Sequence, residues 1–223
     1  MKEINPTKQR IAAWSYSRYS KWSACPRSAY YAYIEKVKEA PSAAMERGSA
    51  IHKEIENWVN ASEAPAPKCI HPTLVPDYLQ MKEEEYIAES EITFTSSWKL
   101  TGWFDASAWL RVKTDLISPS CNVVIDTKTG RMRDGYTEQL SLYAMAADKI
   151  SEVKHSKITT ALLFVDSGDK VVEVFDRKEL DALPVRWEKK VKPMLADTTF
   201  TPNPGNACRW CPFSKSKSGL CDY

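Results

Sequence analysis

A chain of 223 residues, 43% hydrophobic and 27% charged, has side chains enough for one ordinary core and excludes a disordered polymer. No apolar run approaches the roughly twenty residues needed to cross a bilayer, and the polar N-terminus has no export signal, so a cytoplasmic protein is expected. A net charge of +2 gives no global basic field, and a polyanion would have to be met by local clusters such as Arg18, Lys21 and Arg27, or Lys128, Arg131 and Arg133.

In chain order, Trp14 to Val37 carries seven large aromatics and is predicted to form two helices broken at Cys25-Pro26, because proline suits a first helical turn and disfavours an interior. Such density serves either as core or as a base-stacking platform, and the amphipathic spacing favours core. Met45 to Asn60 is predicted to be a helix that buries Ile51, Ile55, Trp58 and Val59, with His52 beside that stripe. A proline-rich connection and an acidic helix over Asp77 to Ala88 follow.

From Glu89 the period becomes two. Glu91 to Phe94 and Leu100 to Ala106 are predicted as consecutive strands, and Val123 to Lys128 as a third. Asp105 is a short acid among hydrophobes, an unfavourable place for a charge that is neither paired nor metal-bound. Asp126 and Lys128, two apart on a strand, share a face. Tyr136 to Lys149 is predicted as a helix carrying Gln139 and Tyr143 on one side. Strands over Ile158 to Val165 and Val171 to Phe175 come next, and then a helix over Arg177 to Leu195 interrupted near Pro184. No phosphate-binding loop of the ATPase kind is present.

Six cysteines in a chain without an export signal point to metal or to ordinary packed thiols rather than to disulfides. Cys208, Cys211 and Cys221 crowd one end and Cys25 lies near the other.

Taken together, Gly48-x-x-x-His52, Glu91, Gly102-x-x-Asp105, Asp126-x-Lys128 and Gln139-x-x-x-Tyr143 occur in the order found in the PD-(D/E)XK nuclease superfamily. The chain resembles its RecB-like and CRISPR-associated exonuclease-like branch, and the aromatic segment around Cys25-Pro26-Arg27 extends the likeness over residues 15 to 221. The resemblance implies an α/β restriction-endonuclease-like core with a mixed central sheet flanked by helices. It implies one nuclease domain over 1–223: a helical N-terminal segment (15–60), a core (89–195) and a cysteine-rich tail (200–223). Asp105 and Asp126 would hold Mg²⁺ or Mn²⁺ with His52 and the Thr127 carbonyl. Glu91 would act through a metal-bound water or as an acid behind the ligands, Lys128 would orient or deprotonate the attacking water and stabilise the phosphorane, and Gln139 and Tyr143 would steady Lys128 and the DNA phosphate. Cys25, Cys208, Cys211 and Cys221 would bind a 4Fe-4S cluster, with zinc the alternative occupant, tying the helical N-terminal segment to the tail.

The function so implied is a metal-dependent exonuclease acting on single-stranded or end-containing DNA in recombination or repair, alongside a recombination, helicase or CRISPR partner. The alternative is a non-catalytic nucleic-acid-binding or recruitment protein that keeps the fold.

Overall fold

The computed structural model describes residues 10–39, 41–61, 63–132 and 136–223. Arg133, in one of the basic clusters above, lies outside them. The described chain divides into two compact units, one of Met1–Ala40 with Trp187–Tyr223 and the other of Pro41–Arg186.

The larger unit is a mixed α/β fold built on a five-stranded sheet. Its strands are β1 Ile87–Phe94, β2 Leu110–Ile117, β3 Val123–Lys128, β4 Lys157–Phe164 and β5 Lys170–Asp176, lying in that order. Three of the neighbouring pairs, β1 with β2, β2 with β3 and β4 with β5, are antiparallel. The pair β3 and β4 is parallel. Parallel strands need a crossover, and the helix Tyr136–Ile150 is in it, as its Leu-, Ala- and Met-rich sequence requires. β3, paired on both sides, buries four consecutive residues, Val124 to Thr127.

Two expectations fail locally. Leu100 to Ala106 forms no strand: Leu100 makes a single bridge to Phe94, and turns follow, one of them closed by Asp105 accepting from Ser107 N at 2.7 Å. That local side-chain-to-backbone bond competes with a ladder and wins. Pro184, for its part, does not interrupt the helix Arg177–Ala196. A proline inside a helix costs about 3 kcal/mol, and the stripe Leu180, Leu183, Trp187, Val191 and Met194, each at most 2% exposed, continues across it and offsets that cost.

Among the described residues, the α-helices are α1 Tyr16–Ala24, α2 Pro26–Ala29, α3 Ala43–Ala61, α4 Val75–Glu83, α5 Tyr136–Ile150 and α6 Arg177–Ala196. Within the larger unit, Ile51, Ile55 and Trp58 of α3 and Tyr78 and Met81 of α4 share a core with Leu116, Ile125 and Leu163 of the sheet. That seating fixes the rotation of α3 and leaves Gly48, His52 and Glu56 along an open cleft.

The smaller unit is joined by aromatic packing. Trp14 stacks on Trp187 at 5.6 Å, with the edges of Tyr16 and Tyr19 against the same indole. Tyr30 and Tyr31 meet Phe200 and Phe213, and the Tyr31 hydroxyl donates to Leu220 O. The aromatic N-terminal segment is thus core.

The expected four-cysteine cluster is overturned here. Among the described residues, the metal-capable side chains that converge belong to His52, Glu89 and Asp115, in the middle of the chain, and no three thiols come together in that way. Cys25 Sγ accepts from Asn203 N and Cys208 Sγ from Gly205 N, both at 3.4 Å, so these thiols take up neighbouring backbone donors. Packing and hydrogen bonds, not a metal cluster, hold the N-terminal helices to the tail.

One of those bonds sets a pH dependence. Burial by itself raises the Asp197 carboxyl, but bonds from Phe200 N, the Trp22 indole and Thr199 N outweigh it, and the net shift is downward. A carboxyl held below its unfolded value stabilises the fold above about pH 4, and that contribution is lost as pH falls through the folded value. Asp197→Asn is expected to lose about 1–3 kcal/mol at pH 7. Urea unfolding at pH 7 and pH 3 checks this, since the gap from wild type must narrow in acid.

Candidate metal centre

The β2–β3 ladder consists of Ile117↔Val124 and Leu116↔Ile125. One step further along come Asp115 and Asp126, and there the strands part. Thr127 N donates to Asp115 Oδ2 at 2.6 Å instead of to a ladder carbonyl. On the other side of β2, the pairs Ala88↔Leu116 and Ser90↔Thr114 bracket Glu89 and set it against Asp115. Register alone therefore lines up Glu89, Asp115 and Asp126 across three adjacent strands.

From α3, His52 closes the group, with Nδ1 at 3.1 Å from Asp115 Oδ1. One ligand atom each from His52, Glu89 and Asp115 lies within 4.8 Å of the others. The hydrogen bond to Asp115 raises the His52 pKa against the opposing effect of burial. Glu89 reaches this position with φ at 54°, left-handed for a non-glycine residue inside a strand. That conformation costs about 1–2 kcal/mol and is a common form of strain at a functional site.

Asp126 is 4% exposed, and its two oxygens have different surroundings. Oδ1 accepts from the Tyr143 hydroxyl and from Gln139 Nε2 at 3.3 Å, and Gln139 Nε2 also donates to the Tyr143 oxygen at 2.7 Å. These two side chains, one turn apart on α5, fix the carboxylate plane. Oδ2 faces Lys128 Nζ at 2.5 Å and meets no other donor. Burial raises the Asp126 pKa, with the Lys128 charge opposing it, and the negative charge of Asp115 adds to the rise. A buried carboxylate with one cationic neighbour and other acids beside it fits a further cation.

The donor set is one imidazole nitrogen and carboxylate oxygens with no thiolate, which suits Mg²⁺ or Mn²⁺. These residues line an open cleft of about 980 Å³ together with Glu91, Lys113, Thr129 and Tyr143. The 4Fe-4S and zinc expectations, which rested on thiolates, give way to this centre of oxygen and nitrogen ligands.

Of the residues singled out in the sequence, His52, Asp126, Lys128, Gln139 and Tyr143 are brought together. Thr127 is buried behind them, sharing a hydrogen bond of 2.7 Å with the Tyr78 hydroxyl. Glu91 is exposed on the cleft wall, two residues beyond Glu89. Asp105 is elsewhere, exposed in its turn with both bonds going to Ser107. Its expected place is taken by Asp115. Sequence reasoning missed Glu89 and Asp115, although buried Leu110, Val112, Thr114 and Leu116 alternate with Arg111, Lys113 and Asp115.

The family model of the PD-(D/E)XK nuclease superfamily matches residues 13–216. The chain belongs to that superfamily. Its acid-x-lysine sequence is Asp126-Thr127-Lys128, placed by the fold at the end of β3 where the sheet opens. Among solved structures, that of SSO0001 is similar at 16% identity, covering 96% of this chain and 88% of its own, with a TM-score of 0.46. No curated protein matches the sequence. Among the described residues, no helix is long and apolar enough to cross a membrane.

Proposed function

We propose that this chain hydrolyses phosphodiester bonds of DNA in a cation-dependent reaction and that it does so from an end, as an exonuclease. The observation that carries the first part is the meeting of His52, Glu89, Asp115 and Asp126 in one open cleft, with Lys128 paired to Asp126. The second rests on the likeness of Gly48-x-x-x-His52, Asp126-x-Lys128 and Gln139-x-x-x-Tyr143 to end-dependent nucleases, without Gly102-x-x-Asp105.

His52, Glu89, Asp115 and Asp126 would hold the divalent cation, which supplies Lewis acidity and neutralises phosphate charge. The residues of the chain do the rest. Gln139 and Tyr143 hold Asp126 through Oδ1 and leave Oδ2 to Lys128. Lys128, with 24% of its side chain exposed, is paired with that buried carboxylate. Its ammonium donates to the water that attacks phosphorus and places positive charge beside the phosphoryl oxygens as negative charge accumulates on them. Asp115 spans the two walls, bonded to His52 on one side and to the β3 backbone on the other, so the ligands are held in place before substrate arrives.

Linear single- and double-stranded DNA labelled at either end, and a circular single strand, are incubated with Mg²⁺, Mn²⁺ or chelator. Cation-dependent release of mononucleotides from linear DNA, with the circle spared, is expected. Cleavage of the circle would sink the exonuclease part, and inactivity with both cations the whole reading.

A further inference from the structure

A line of positive and aromatic side chains leaves the metal centre along β2. Arg111, Lys113 and Asp115 share a face by the period of two, and Lys113 lies within the cleft wall. At about 3.4 Å per residue, Lys113 is about 7 Å and Arg111 about 14 Å from Asp115 along the strand. Lys113 pairs with Glu89 and stands opposite Glu91 in register. Arg111 makes no ion pair among the described residues. Its Nε donates to Trp103 O at 2.8 Å, and its guanidinium lies 5.8 Å from the Trp103 ring centroid.

Beyond Trp103, Phe104 is 91% exposed at the tip of the loop 95–109. A lone exposed phenylalanine is unremarkable, but this one is held out by a built turn. Asp105 N donates to Gly102 O at 3.0 Å, and the Asp105 carboxylate accepts from Ser107 N and Oγ. The loop is pinned to β1 by Thr101 N to Thr93 O at 3.0 Å and by Trp109 N to Phe94 O at 2.8 Å. Gly102-x-x-Asp105 therefore has a role that is not metal binding: it presents Trp103 and Phe104 at the end of the basic line.

From this geometry we infer a single-strand subsite beside the metal centre. Lys113 and Arg111 take backbone phosphates of the nucleotides next to the scissile bond, and Trp103 and Phe104 stack on their bases. Two cations followed by a half-buried and an exposed ring match an unpaired strand, whose base faces are open, and not a duplex, whose base faces are covered. The inference rests on the nuclease reading for its substrate but is separable from it by experiment.

Binding of a fluorescein-labelled oligo-dT and of a duplex of equal length is followed by anisotropy in chelator, so that no cleavage intervenes. Wild type is expected to prefer the single strand. Phe104→Ala and Phe104→Leu are expected to weaken its binding roughly 5- to 100-fold, the range for loss of one stacked base, and Phe104→Trp to retain it. Arg111→Ala is expected to lower the salt slope by about one. Hydrolysis of bis(p-nitrophenyl) phosphate with Mn²⁺, which reaches only the metal centre, stays at the wild-type rate in the Phe104 variants. Wild-type strand affinity in both Phe104→Ala and Phe104→Leu overturns the subsite while leaving the nuclease intact. Loss of binding in those variants from a wild type that cleaves nothing keeps the subsite and removes the nuclease.

Discussion

Lys128→Ala is expected to reduce phosphodiester cleavage by about 10²- to 10⁴-fold in kcat, the range for removal of a positioned proton-transfer or charge-stabilising group. Among the described residues no other cation is paired with Asp126, and Gln139 and Tyr143 are committed to its Oδ1. The substitution also leaves Asp126 buried without its cationic neighbour, and breaking such a pair costs about 3–5 kcal/mol when no other cation compensates. Denaturant unfolding with and without Mn²⁺ separates the two effects, because a bound divalent ion restores the missing charge but not the missing ammonium. Stability recovered by Mn²⁺ with cleavage still absent is the expected pattern. Cleavage within threefold of wild type would remove Lys128 from the reaction.

The parts of the site legible in the sequence are those whose partners are close along the chain. Asp126 and Lys128 share a strand face by period two, and Gln139 and Tyr143 share a helix face by one turn, so each pair could be read without knowing what faced it. His52 was legible because the buried stripe of α3 leaves its side of the helix at the edge of the core. Glu89 and Asp115 were hidden because register, a non-local property, selects them. Glu89 and Glu91 point the same way on β1, and only the pairing with β2 decides which meets Asp115. The choice between Asp105 and Asp115 depended on where β2 begins. The hydrophobes of 100–106 suggested a strand there, and the turn that Asp105 makes with Ser107 displaced it. The cysteines teach the converse lesson. Clustering in sequence suggested a shared ligand, whereas in the folded chain Cys25 and Cys208 accept bonds from backbone donors and the histidine and acids form the centre.

Asp115→Asn against Asp105→Asn is the sharpest test of where the centre lies. Asp115 bonds His52 through one oxygen and Thr127 N through the other, so asparagine removes a charged ligand oxygen and leaves an amide facing a ring nitrogen or a backbone donor. The expected outcome is a loss of cation affinity of about 10²-fold or more, and cleavage falls with it. Thermal unfolding gives a readout independent of activity. A cation present at 100 times its Kd stabilises the folded state by about 2.7 kcal/mol, and a hundredfold weaker site at the same concentration keeps only about 0.4 kcal/mol. Mn²⁺ should therefore raise the wild-type Tm by several degrees and leave Asp115→Asn nearly unmoved. Asp105→Asn behaves differently, because asparagine also accepts from Ser107 N and keeps the turn. Its Tm shift with Mn²⁺ should equal that of wild type, with intrinsic stability changed by less than about 1 kcal/mol, as for most exposed positions. The opposite pattern, with the cation response lost in Asp105→Asn and kept in Asp115→Asn, would move the centre off the β1–β2–β3 row and onto the turn.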